Sequence, residues 1–158
     1  MKTFRILLGT AALAAILSLP FIIRPYRVQG SSMYPVLQNG ELIAVDTLSL
    51  GFIAPRRDEL IVFYNPHKKN TTSEIDVKRV IGLPGEHVSV LADKVVVRSA
   101  AATSSIELGD GSNGLTFEMQ LGPEDYFVLG DNRRDSSDSR LFGAVQPGDF
   151  IGRVILSI

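Results

Sequence analysis

From Ile6 to Ile23 the chain carries no charge: ILLGTAALAAILSLPFII. As a helix, these 18 positions reach about 27 Å, close to the ~30 Å hydrocarbon core of a bilayer. Pro20 falls near the end of the run, where a kink is tolerated. Such a run can be a membrane anchor, a cleaved signal peptide or a buried core helix. It exceeds the usual apolar region of a signal peptide, and no clean small-x-small site precedes Arg24, so an anchor is expected. Lys2 and Arg5 flank one side and Arg24 and Arg27 the other, which leaves orientation open by charge alone. The short tail and the large remainder favour tail inside, domain outside. The expected division is a cytoplasmic tail 1–5, a single transmembrane helix 6–23 and an extracytoplasmic domain 24–158, placed at the cell membrane.

The remainder of the chain is long enough for one domain with a real core. Its pattern is that of strands. Glu41–Val45, Leu60–Tyr64, Glu74–Ile81, two short runs within His87–Val97, Leu115–Met119, Tyr126–Leu129 and Phe150–Leu156 are apolar or alternating. Pro84-Gly85 suits the centre of a type II turn. Thr47–Arg57 reads as a loop, His67–Ser73 as an exposed hairpin tip, and Gly109–Gly114 as a flexible turn. No soluble stretch has a helical period. The expected fold is mainly β, an antiparallel sandwich or barrel. The 158-residue chain has no cysteine and a net charge of −1. Disulfides and cysteine-based zinc sites are thereby excluded, and general attraction to nucleic acid is not suggested.

Three stretches carry candidate chemistry. Gly30-Ser31-Ser32-Met33-Tyr34-Pro35 places a serine just after the apolar run. Its plain reading is a turn; its chemical reading makes Ser32 a nucleophile near the bilayer. Lys78 sits within an apolar strand, where burial would favour the neutral amine that a general base needs. A solvated strand lysine is the alternative. Alternation puts Ile75, Val77, Arg79 and Ile81 on one face and Lys78 with Val80 on the other, without saying which is buried. Gly130–Arg140 is polar, and is either a solvated loop or a network of Ser hydroxyls and Asp–Arg pairs.

Together these stretches resemble the bacterial type I signal peptidases, the serine–lysine leader peptidases. Ser32-Met33-Tyr34-Pro35 is similar to that family's Ser-Met-x-Pro box. Lys78-Arg79-Val80-Ile81-Gly82-Leu83-Pro84-Gly85-Glu86 and Gly130-Asp131-Asn132-Arg133 with Ser136, Asp138-Ser139-Arg140 and Gly143 resemble its other two. The resemblance implies Ser32 as nucleophile and Lys78 as general base, with Ser136 orienting the Lys78 amine. It implies that Asp138, Arg140 and Arg79 brace the site through ion pairs and that the Ser32 N–H serves the oxyanion hole. Met33 and Val77 become candidate substrate-pocket residues. The implied partners are exported precursor proteins, cut after a small-x-small motif, and the lipid bilayer; no metal or other cofactor is implied, and a monomer suffices. The substrate is expected to lie as an added strand beside Tyr26–Ser32 and Asp76–Lys78.

Three departures stand out. Gly30 occupies a position where some members have a serine that donates to the oxyanion. Arg57-Asp58-Glu59 replaces an Arg-Gly-Asp turn, which suggests a less strained backbone. The region between His87 and Leu121 is short, so a compact form without a large accessory domain is expected. Two other readings remain: a relative with one dedicated substrate or a self-cleaving chain, and a tethered β module that binds peptides without cutting. His67 and His87, with no acidic neighbour evident, are read as structural or exposed.

Overall fold

The computed structural model describes residues 22–66, 68, 74–92, 94–99, 105–109 and 115–157. The uncharged run up to residue 21, most of the 67–73 tip and the 110–114 turn lie outside the described residues. Ile23 opens the first strand, and Thr47 N–H donates to the Ile22 carbonyl at 2.8 Å. Among the described residues no helix is long and apolar enough to cross a membrane.

Among the described residues ten strands form two sheets, and every pairing is antiparallel. They are β1 (Ile23–Arg27), β2 (Leu42–Asp46), β3 (Leu60–Tyr64), β4 (Ile75–Gly82), β5 (His87–Val90), β6 (Lys94–Arg98), β7 (Ser105–Gly109), β8 (Phe117–Gln120), β9 (Phe127–Leu129) and β10 (Phe150–Ser157). The larger sheet runs β1-β2-β10-β3-β4-β9, and the smaller β7-β6-β5-β8. A short α-helix, α1 (Ser139–Phe142), interrupts the long polar stretch. The region between His87 and Leu121 thus holds a complete four-stranded sheet, built from strands of only four or five residues.

The larger sheet is covered on both faces. Along β3, Ile61 and Phe63 enter one core with Val80, Val128 and Phe142, while Val62 points the other way into a core with Val28, Met33, Leu37, Ile43 and Val45. This is the period-2 alternation of a strand. A third core, of Ile81, Val88, Val90, Val95, Val97, Leu121, Phe127 and Leu129, joins the two sheets. Gly82 is required where they meet: a Cβ there would come within 2.8 Å of both Leu121 and Phe127.

The turn before β3 corrects one expectation. Asp58 holds φ 70°, the left-handed region that glycine favours and that Asp tolerates better than most residues. The turn therefore keeps the glycine-like backbone without the glycine. Arg57 bonds the Ile81 carbonyl and pairs with Glu86 at 2.6 Å, tying it to the following turn. There, Pro84 and Gly85 occupy the centre and Gly85 has φ 79°, as a type II turn demands.

Candidate active site

β4 is paired with β3 along its whole length, but with β9 only from Arg79 onward. On the β3 side, Val80 N–H donates to the Glu59 carbonyl, the Val80 carbonyl accepts from Asp58 N–H, and the Glu74 carbonyl accepts from Asn65 N–H. By alternation, Ile75 and Val77 turn their N–H and C=O groups to the opposite edge, which no strand occupies among the described residues. Opposite that edge, β1 continues into the Gly30–Pro35 turn. Between them lies a groove of about 480 Å³, lined by Tyr26–Ser32 on one side and Glu74–Lys78 on the other, with Ile43 and Val62 also in its wall.

Lys78 is paired in register with Ile61 and shares a face with Val80. This settles the alternation: the Lys78 face is the buried one here, with Lys78 itself 2% exposed. Its Nζ lies 2.8 Å from Ser32 Oγ and donates to the Val77 carbonyl at 3.2 Å. Burial pushes the amine below its ordinary value, against an upward pull from Asp76 and Asp138. Desolvation disfavours the charged form, so burial moves the amine toward its neutral form beside the Ser32 hydroxyl.

The Gly130–Arg140 loop holds the serine turn from above. Asn132 donates twice, from its backbone to the Ser32 carbonyl at 3.0 Å and from Nδ2 to the Ser31 carbonyl at 3.1 Å. Ser31 Oγ donates to Asp135 at 2.5 Å. On the far side of the turn, Gly30 N–H donates to Asn39 at 2.9 Å. Gly130 must be glycine, because a Cβ would overlap both Ser136 Oγ and the Ser32 carbonyl. Asp138 is fully buried. It accepts from Gly130 N–H, from the backbone of Arg140 and from that residue's guanidinium at 2.7 and 2.8 Å, and so caps α1 while neutralising the cation.

Two expectations change in the site, those for Ser136 and Met33, while Arg79 makes an ion pair and His87 lies apart. Arg79 does not reach Asp138; it makes a two-pronged pair with Asp131 at 2.8 and 2.6 Å and donates to the Asp58 carbonyl. Alternation explains this, since Arg79 leaves β4 on the face opposite Lys78. Ser136 Oγ is buried beside Gly130 but has no hydrogen-bond partner among the described residues. The Lys78 amine turns instead to Ser32 and Val77. Met33 is a core residue, 1% exposed, packed behind Val28, Ile43 and Val62, whereas Val77 does line the groove. His87 lies 3.8 Å from Glu118 on the small sheet, away from the groove; His67 is outside the described residues.

Asp131 and Asn132 belong to a sequence motif that assigns them no task, and Asp135 and Lys68 are not singled out by the sequence at all. The spacing of polar residues across the loop was the available signal. Among the described residues no group of three or more His, Asp or Glu side chains is placed to hold a metal ion.

The chain matches the family model described as "Signal peptidase, peptidase S26" over residues 1–158. It is 36% identical over 147 residues to signal peptidase I of Bacillus caldolyticus, covering 85% of this chain and 78% of that one. It is 31% identical to signal peptidase I of Leptolyngbya laminosa, covering 93% and 75%. Signal peptidase IB of Staphylococcus aureus is 30% identical, covering 85% and 76%. The crystal structure of a signal peptidase I from Enterococcus faecalis superposes with a TM-score of 0.50 at 28% identity, covering 65% of this chain and 98% of that one. The chain therefore belongs to the bacterial type I signal peptidases of peptidase family S26, which are serine endopeptidases.

Proposed function

We propose that this chain removes signal peptides from exported precursor proteins, with Ser32 as nucleophile and Lys78 as general base. The observation that carries the reading is the buried Lys78 amine 2.8 Å from Ser32 Oγ at the wall of an open groove. With the amine neutral, the Ser32 hydroxyl donates to it. As Oγ attacks the scissile carbonyl, Lys78 takes the proton. The tetrahedral oxyanion is met by the Ser32 N–H, Gly30 supplying no side-chain donor. Lys78 then returns the proton to the departing amine, which leaves an acyl ester on Ser32. The amine, neutral again, draws a proton from water, whose attack releases the acid and restores the serine.

The substrate lies extended along the open half of β4, where Ile75 and Val77 turn backbone groups toward an edge that no strand occupies among the described residues. Val28, Ile43, Val62 and Val77 give this groove a shallow apolar wall. That suits small side chains at alternate positions, hence cleavage after small-x-small. Anchoring by 6–23 is supported by what stands beside Ile22. The turn after β2 bonds Ile22 and carries exposed Leu48, Phe52 and Ile53, with Phe52 83% exposed. An apolar cluster at the point where the uncharged run enters the domain fits a surface resting on lipid.

The test uses the full chain in detergent with a peptide bearing an Ala-x-Ala site. The parent cuts after the second alanine; Ser32→Ala and Lys78→Ala each lose about a thousandfold or more in kcat. The rate falls as pH drops through the lowered pKa of Lys78, because the ammonium cannot accept a proton. A profile flat down to about pH 5, or a Lys78→Ala as active as the parent, removes the lysine from the mechanism.

A further inference from the structure

Two charged residues in the groove wall take no part in the proton relay. Asp76 precedes Lys78 by two positions on β4, so both side chains leave the strand on one face. The Asp76 carboxylate is nearly buried. Its Oδ1 accepts from Lys68 Nζ at 2.7 Å and its Oδ2 from Asn65 Nδ2 at 2.7 Å. Lys68 is held in turn by its own N–H, which donates to the Asn65 carbonyl at 3.1 Å. The turn leaving β3 thus delivers a cation and an amide to one carboxylate on the neighbouring strand.

A carboxylate on the same face as a buried amine stabilises the ammonium and so works against a neutral base. Three carboxylates act on Lys78 in this way: Asp76 on its own strand, and Asp138 and Asp131 on the loop above. Each has a cation of its own. Asp138 is paired with Arg140 and Asp131 with Arg79, and Arg133 lies on the same loop. Asp76 pulls hardest of the three, and Lys68 is the cation that pushes the other way. The partners differ in exposure: the Arg140 side chain is 3% exposed and Arg79 22%, but Lys68 is 33% exposed, on the rim of the groove.

We infer that Lys68 is a positioning residue for the general base: by pairing with Asp76 it cancels the carboxylate that would otherwise hold Lys78 protonated. The inference rests on the reading of Lys78 as base. It also gives the 65–68 turn a task beyond linking β3 to β4, since the same turn that shapes one end of the groove sets the charge beside the reacting amine.

The test is kcat/KM against pH for the full chain in detergent on the Ala-x-Ala peptide. In Lys68→Met the acid limb moves up by about half a unit to one unit, whatever the height of the alkaline plateau. Lys68→Arg restores the limb. Asp76→Asn moves it down, because Lys68 then acts unopposed, and the double variant Lys68→Met/Asp76→Asn returns it near the parent. A Lys68→Met that loses the same fraction of activity at every pH, with the limb unmoved, overturns the inference and leaves Lys68 a structural tie. Should Lys68→Met fail to fold, Asp76→Asn decides: an unmoved limb overturns it. Lys78→Ala reports separately on the base itself, so the two ideas fail in different experiments.

Discussion

The two sheets treat polar groups in opposite ways. The four-stranded sheet buries a ladder of valines, Val88, Val90, Val95 and Val97, and Ser89 is the polar side chain it encloses. Its ion pair, Lys94–Glu107, and the His87–Glu118 contact lie at the surface. The six-stranded sheet and its covering loop bury Lys78, Asp138, Ser139 and Arg140 next to apolar cores. Burying a charge costs more than its partner returns unless every remaining lone pair and proton is satisfied. The small sheet therefore draws its stability mainly from buried apolar area, while the large one accepts a cost around the Lys78 amine and the Asp138–Arg140 pair.

The sharpest way to break this contrast is Asp138→Ala. It leaves the Arg140 guanidinium buried without its carboxylate and removes the α1 cap, so urea unfolding reads a loss of about 3–5 kcal/mol. A loss no larger than that of a surface pair would mean the loop is not held rigidly by its buried pair. Lys78→Met tests the cost from the other side. Burial holds the folded-state pKa of Lys78 below its ordinary 10.5, so between the two values the unfolded chain binds the extra proton. Parent stability then rises with pH through that window. Lys78→Met, free of the penalty, has the higher Tm at neutral pH, and its advantage fades as pH approaches 10.5. An advantage that does not change with pH would trace to packing instead. Least is expected of Lys94→Ala, whose pairing with Glu107 spans an exposed edge of the small sheet. Its loss is about 0.2–1 kcal/mol, shrinking with added salt.

Strands with two apolar faces, or with a clean alternation, were readable from residues alone: Leu60–Tyr64 is β3 to the residue, and β4 and β10 shift by one position or less at each end. β1 was not readable. Its Arg-Pro-Tyr-Arg has no alternation, because an outer strand is held by backbone bonds to one neighbour and tolerates proline and charge. β7 is likewise the outer strand of its sheet. α1, at four residues, is shorter than any period that could reveal it. The serine, the lysine and the polar loop stood out by position. Who pairs with whom within that loop did not, since Arg79 could meet Asp138 or Asp131 until the strand face was fixed. Lys68 escaped notice because its carboxylate lies eight residues on, across a hairpin.

The half of β4 that β9 leaves unpaired sets a condition on the folding state of whatever is cut. A chain laid there must present its own N–H and C=O groups to Ile75 and Val77. Residues already committed to a helix or sheet have none to offer. With the substrate placed as proposed, the enzyme needs no separate device to spare folded proteins. An extended, unpaired stretch is read by backbone bonds first and by its small side chains second.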